Sequence, residues 1–187
     1  MTLKVGDKAP DFSINDQDGK SVNLAALRGK KVVLYFYPKD MTPGCTAEAC
    51  NLRDNYQSLK KKGFEIFGVS TDSEKTHQKF IAKEKLPFRL LADPNKIVHE
   101  AYGTWVEKSM YGRKYMGTAR VTFIINESGI ISDIIEKVDT KNHTEQILRE
   151  QLPTQSTSAP KKSGVPAKTS IKSPKRAAPK KAAPKKK

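Results

Sequence analysis

The stretch KVVLYFYPKDMTPGC, Lys31 to Cys45, decides the fold. From Lys31 to Tyr37 it is an almost unbroken run of β-branched, aliphatic and aromatic residues, the mark of a strand buried on both faces. A proline closes the run. The loop from Pro38 to Gly44 then delivers Cys45 to the point where the pattern turns helical. Beyond it Ala47, Cys50, Leu52, Tyr56 and Leu59 recur at roughly helical spacing up to Gly63.

Working outward, Asp11 to Asn15 and Ser21 to Leu24 are short extended runs joined by the turn signal Asp16-Gln17-Asp18-Gly19, which predicts an N-terminal hairpin. Phe64 to Ser70 reads as a second buried strand. Ser73 to Lys85 reads as a helix, with Asp72 or Ser73 placed to cap it. Leu90 and Leu91 form a short extended piece, Asn95 to Tyr102 reads as helical, and Val121 to Ile125 is a third strong strand. Gly129 turns that strand into Ile130 to Glu136, and Asn142 to Leu152 predicts a closing helix. This order predicts an α/β fold of the thioredoxin type, a mixed central sheet flanked by helices, with an N-terminal β-hairpin.

Composition sets the boundary of that domain. Of 187 residues only 36% are hydrophobic, and the apolar positions of the pattern stop at Leu152. From Pro153 to Lys187 there is no aromatic residue and no Asp or Glu. Such a segment buries too little apolar surface to offset its ordering entropy, so residues 1–152 are expected to form the domain and residues 153–187 a disordered tail. The formal charge of +15 divides there: 24 Lys and Arg against 20 Asp and Glu in the domain, and 11 unopposed basic residues in the tail. The N-terminus lacks the basic-then-apolar pattern of a secretory signal, and no run approaches the roughly 18 apolar residues of a membrane span. A soluble, cytoplasmic protein without membrane contact is expected.

The two cysteines of the chain, Cys45 and Cys50, stand in that frame. In a reducing compartment a cysteine pair is more often catalytic, redox-sensing or metal-binding than a staple. Cys45 begins a helix, where unpaired amides and the positive end of the helix dipole favour a thiolate, so it is the candidate nucleophile. Five residues of α-helix turn about 500° and separate two Cα atoms by ~8.7 Å, beyond the roughly 7 Å that a disulfide bridges. Pairing of the two thiols therefore requires the helix to open. A zinc site is disfavoured, because His77, His99 and His143 are scattered and show no ligand spacing. The Cys-x-x-Cys of a disulfide exchanger is absent, and an inert buried thiol is the plain alternative for Cys50.

Pro38-Lys39-Asp40-Met41-Thr42-Pro43-Gly44-Cys45 resembles the active-site signature of the peroxiredoxins, in which a proline and then a threonine three residues ahead precede the peroxidatic cysteine. The continuation Thr46-Ala47-Glu48-Ala49-Cys50 is similar to the bacterioferritin comigratory protein, or peroxiredoxin Q, branch. So are Gly6 to Phe12, Tyr102 to Trp105, Lys108 to Gly117 and Arg120 to Ile124. The resemblance covers residues 3 to about 152. It implies that Cys45 attacks the distal peroxide oxygen and becomes a sulfenic acid, that Thr42 hydrogen-bonds peroxide and thiolate, and that Arg120 holds the thiolate and the charge on the departing oxygen. It further implies that Pro38 shields the sulfenate, that Glu48 orients Arg120, and that Cys50 resolves the sulfenic acid as an intramolecular disulfide reduced by a thioredoxin-like donor. No cofactor or metal is expected, and an in-chain resolving thiol favours a monomer. Ala119 and Val121 depart from the branch pattern, which has an acidic and a small polar residue beside this arginine. Trp105, Tyr111 and Tyr115 are expected to pack or line the site, and no role is expected for the histidines.

The tail lies outside the resemblance and is similar instead to the Lys/Ala/Pro tails of linker histones and histone-like bacterial proteins. Its basic clusters, Lys175, Arg176, Lys180, Lys181, Lys185, Lys186 and Lys187, are candidates for salt-dependent contact with DNA or RNA phosphates without sequence preference. Such contact would place the protein at the nucleoid, or in the nucleus of a nucleated cell. A solubilising tail and an anionic membrane surface are the competing readings. Two rivals to the peroxidase are a peroxide-sensing, nucleic-acid-associated protein with slow turnover and a general disulfide oxidoreductase. Both leave Thr42 and Arg120 without a task.

Overall fold

In the computed structural model, residues 3–110 and 112–149 are described. The expected domain boundary at Leu152, the end of the closing helix beyond Arg149, the basic tail and Tyr111 lie outside them.

A central five-stranded sheet grows from β3 (Lys31–Phe36). Its side chains alternate between two cores, as strand geometry requires. Val32, Leu34 and Phe36 enter one, and Val33 and Tyr35, continued by Tyr37, enter the other. Parallel to β3 runs β4 (Phe64–Ser70), and parallel to β4 runs β5 (Arg89–Ala92). On the other flank β8 (Val121–Ile125) is antiparallel to β3, and β9 (Ile131–Ile135) is antiparallel to β8, giving the order β5-β4-β3-β8-β9. The expected N-terminal hairpin, β1 (Ser13–Asn15) with β2 (Ser21–Asn23), forms a two-stranded sheet of its own.

Both faces of the sheet are covered. Phe12, Val22 and Leu24 from the N-terminal segment, with Val98 of α4 (Ile97–Ala101) and Tyr102, close the Leu34 side. The Tyr35 side packs against α1 (Pro43–Asp54), α2 (Tyr56–Lys61), α3 (Glu74–Glu84) and α5 (His143–Arg149), through Ala49 and Leu52, Leu59, Phe80, and Ile147 respectively. Ser73 caps α3, its hydroxyl accepting from the Thr76 amide. No helix among the described residues is long and apolar enough to cross a membrane.

Two expectations need correction. The helical pattern from Ala47 to Gly63 is broken at Asn55 (φ −105°, ψ 9°), which ends α1 and begins α2. Asn55 Nδ2 donates to the Asn51 carbonyl at 2.9 Å, a local bond that competes with continued helix. The segment after Trp105 is a hairpin, β6 (Trp105–Met110) with β7 (Arg113–Thr118), in a sheet of its own. Gly112 turns it at φ +77°. Tyr115 on β7 is 46% exposed rather than packed, and Trp105 is half-buried, with Lys96 Nζ 5.8 Å above its ring.

Candidate functional site

The loop leaving β3 is tied down before it reaches α1. Asp40, buried, accepts the Tyr37 hydroxyl on Oδ1 at 2.7 Å and faces His77 Nδ1 on Oδ2 at 2.8 Å, while its amide donates to Asp72 Oδ2 at 2.8 Å. Met41 follows in the left-handed region at φ +58°, a conformation that costs a residue with a Cβ on the order of 1 kcal/mol and that the anchored Asp40 holds in place. Thr42 is then extended (φ −83°, ψ 151°) at the N-cap of α1, with Pro43 at the first helical position. Its hydroxyl donates to the Lys39 carbonyl at 3.0 Å and makes no capping bond. Pro38 is exposed at the end of the strand.

Cys45 is thus set in the first turn of α1, where the amides of Gly44 and Cys45 have no partner within the helix. Its side chain is 2% exposed and packs in the Tyr35 core. Arg120, in the turn before β8, crosses above it: Nη2 donates to Cys45 Sγ at 3.2 Å, and Nη1 donates to Glu48 Oε2. The guanidinium passes close over Gly44, where a Cβ would lie 3.4 Å from Nη2. Glu48 follows Cys45 by three residues, on the same side of α1, and has no exposed surface. Burial pushes its carboxyl up to about 7 against the pull of Arg120. Burial works against the Arg120 charge, yet Glu48 and Cys45 hold its pKa above the ordinary value.

The site thereby joins a sulfur nucleophile, a cation bridging it to a buried carboxylate, and free amides at a helix start. Such a set binds and polarises a small oxygen-rich molecule at the sulfur. Lys108 approaches from β6, its Nζ donating to the Thr118 carbonyl two residues before Arg120; burial, then the charge of Arg120, lowers its pKa.

Cys50 is not brought to this cluster. It is a free, half-buried thiol whose Sγ donates to Glu84 Oε2 at 3.6 Å, at the C-terminal end of α3. Burial raises its pKa, and Glu84 adds to the rise against the pull of Arg53. The histidines, given no role from sequence, are all buried opposite acids: His77 on Asp40, His99 on Asp93 at 2.7 Å, and His143 Nδ1 at 3.3 Å from Glu48 Oε1. Asp93 is six residues before His99, whereas the acids facing His77 and His143 lie far off in the chain and leave no local spacing to find. His143 is the one that reaches the Cys45 cluster.

The sequence profile of the AhpC/TSA family matches residues 5–134. Peroxiredoxin Bcp of Escherichia coli strain K12 is 47% identical over 146 residues, 78% of this chain and 94% of that one. Among solved structures, peroxiredoxin Q of Xanthomonas campestris superposes with a TM-score of 0.70 at 35% identity, covering 74% of this chain and 87% of that one. The bacterioferritin comigratory protein of the same organism, studied for its alkyl peroxide reduction activity, gives 0.70 at 34% identity over 74% and 88% of the two chains. With a buried cysteine at a helix start under an arginine, and relatives that agree over nearly their whole length, the chain belongs to the Bcp/peroxiredoxin Q branch of the AhpC/TSA family and is a thiol-dependent peroxidase.

Proposed function

We propose that Cys45 is the peroxidatic thiol and Cys50 the resolving thiol of a cycle that reduces hydrogen peroxide and organic hydroperoxides. The Cys45 thiolate attacks the distal, protonated oxygen of ROOH: the S–O bond forms, the O–O bond breaks, the sulfur leaves as S–OH, and RO⁻ takes a proton from solvent. Arg120 stabilises the thiolate and the departing oxygen, Glu48 orients Arg120, Thr42 hydrogen-bonds the peroxide, and Pro38 shields the sulfenate. What carries these assignments is the contact of Arg120 with Cys45 on one side and Glu48 on the other. The alkyl peroxide reduction activity of the Xanthomonas relative supports the organic substrates.

Resolution follows when α1 opens. The Cys50 thiol gives up its proton, its sulfur attacks Cys45 S–OH, and hydroxide leaves as water, forming a Cys45–Cys50 disulfide that a thioredoxin-like dithiol reduces. Both thiols belong to one chain, so a monomer suffices. Peptide mapping after one equivalent of peroxide tests the cycle: a Cys45–Cys50 disulfide is expected, and a lasting Cys45 sulfenic acid beside a free Cys50 would exclude resolution by Cys50.

The basic segment carries a second function in this proposal, contact with the phosphate backbone of DNA or RNA in the cytoplasm. Its support is sequence alone: Lys175, Arg176, Lys180, Lys181 and Lys185 to Lys187 recur among Ala and Pro with no acidic residue between them. Binding should weaken steeply with salt and be lost when those residues are replaced by Gln. Equal binding by both proteins would assign any affinity to the domain.

A further inference from the structure

Glu48 is a buried carboxylate with a cation on only one of its oxygens. Arg120 occupies Oε2, whereas Oε1 faces His143 Nδ1 at 3.3 Å on α5. Among the described residues, Glu48 Oε1, His143 Nδ1 and the Tyr35 hydroxyl are buried polar atoms without a conventional hydrogen bond, and the three belong to one neighbourhood. The Tyr35 and His143 rings meet edge to face with centroids 6.2 Å apart. The far side of the imidazole is occupied, since Nε2 lies 2.9 Å from the Thr122 hydroxyl. Neither Glu48 nor His143 has any exposed side-chain surface, so solvent does not complete either group.

Burial, and then the charge of Arg120, hold the His143 pKa down to about 3, so the ring carries a single proton at working pH. If Nε2 accepts the Thr122 O–H, that proton sits on Nδ1, the ring nitrogen 3.3 Å from Glu48 Oε1. An ionised Glu48 demands this arrangement, because a lone pair at Nδ1 facing a carboxylate oxygen would add repulsion to desolvation. With Glu48 ionised, the alternative tautomer leaves both atoms unsatisfied inside the core.

We propose that His143 is a positioning residue for peroxide reduction, donating from Nδ1 to Glu48 Oε1 so that the carboxylate stays ionised and aimed at Arg120. It rests on the roles proposed above for Glu48 and Arg120. A chain of contacts then runs from Thr122 on β8 through His143 on α5 and Glu48 on α1 to Arg120 and the Cys45 sulfur. The other ionisable groups around it are Tyr35 from β3, which Glu48, Asp40 and Cys45 all push upward after burial, and Asp139, which acts on His143 against the effect of burial. Neither gives Glu48 Oε1 a hydrogen bond. His143 is the donor within reach.

The test follows the rate of Cys45 oxidation against pH in the full-length protein, by the fluorescence of Trp105. His143→Asn keeps an N–H at the Nδ1 position and should keep the wild-type profile. His143→Phe removes it, so the acid limb should move up by about one pH unit, a roughly fivefold loss at neutral pH that recovers at alkaline pH. Nitrogen NMR of the wild-type imidazole at pH 8, above the Glu48 titration, should find the proton on Nδ1. A proton on Nε2, or a His143→Phe profile that overlays the wild type, overturns the proposal. Should His143→Phe fail to fold, the wild-type tautomer decides. Arg120→Lys serves as the control: if it leaves Cys45 oxidation unchanged, the aimed fork of Arg120 and the orienting role of Glu48 fail, whereas a slow Arg120→Lys beside an unshifted His143→Phe removes His143 alone.

Discussion

His77 Nδ1 lies 2.8 Å from Asp40 Oδ2, and neither side chain has exposed surface. Since Asp40 also accepts the Tyr37 hydroxyl, one carboxylate ties the loop before Cys45 both to the end of β3 and to α3. Asp40→Ala removes the carboxylate that the Tyr37 hydroxyl and His77 Nδ1 share. Breaking such a buried pair costs on the order of 3 kcal/mol, which urea denaturation will read. A loss below about 1 kcal/mol would mean that the loop is held elsewhere.

Arg120→Lys preserves the charge and removes the fork that touches Cys45 and Glu48 together. Cys45 oxidation, followed by stopped flow, should slow on the order of 100-fold, the scale set by losing one aimed donor at a developing oxyanion. A rate within about threefold of wild type would show that positive charge alone is enough.

Two buried groups of the same cluster should pull stability in opposite directions with pH. The Glu48 carboxyl titrates at about 7 in the folded chain against an ordinary 4.5, so the folded state takes up its proton first. Its contribution is present below 4.5 and lost as pH rises through 7. His143 is the reverse: at about 3 against an ordinary 6.5, the unfolded chain protonates first, and stability is lost as pH falls from 6.5 toward 3. Relative to wild type, Glu48→Gln should therefore be most favoured at alkaline pH and lose that advantage on acidification. His143→Asn should gain relative stability below pH 6.5. Denaturation midpoints across pH check both, and parallel curves for all three proteins would refute the assignment.

Gly68 on β4 lies against Tyr35 on the neighbouring strand, and a Cβ there would meet the Tyr35 Cζ and hydroxyl at 2.6 Å and Leu90 Cδ2 at 2.7 Å. Gly68→Ala overpacks a rigid part of the core and should cost roughly 1–3 kcal/mol, measured by thermal or urea unfolding. The displaced Tyr35 ring would press toward His143, so the variant should also perturb Cys45 oxidation. An unaltered melting curve would mean that the ring has room to yield.

Much of this architecture can be read along the chain where a segment meets the core on its own terms. β4 spans Phe64–Ser70 as its apolar run predicts, and Ser73 caps α3 because its side-chain oxygen is the acceptor nearest the first free amides. The β6–β7 hairpin carried no such signal: Arg113 to Met116 are exposed along β7, so neither face imposes an alternation of apolar and polar residues. The break at Asn55 depends on a side chain bonding its own backbone, which a count of apolar positions does not register. At the site, Cys45 is legible because a helix start is a local event, whereas Thr42 and Glu48 enter through the family resemblance. Arg120 stands 75 residues from Cys45 and was found only through the family resemblance. His143 and Glu48 are joined by tertiary packing alone, which is why the histidine went unnoticed until the helices were in place.

The antiparallel register that sets Phe36 opposite Val121 has a further meaning. The loop carrying the thiol departs from one end of that rung and the arginine precedes the other, so both halves of the site are hung from a single pair of residues. A chain that paired β8 out of step would carry its guanidinium to the wrong place and leave the sulfur without a cation. Peroxide turnover is in that sense a proofreading signal for strand alignment: a misregistered molecule is silent, and activity per folded molecule counts only the chains whose central strands have found their true neighbours.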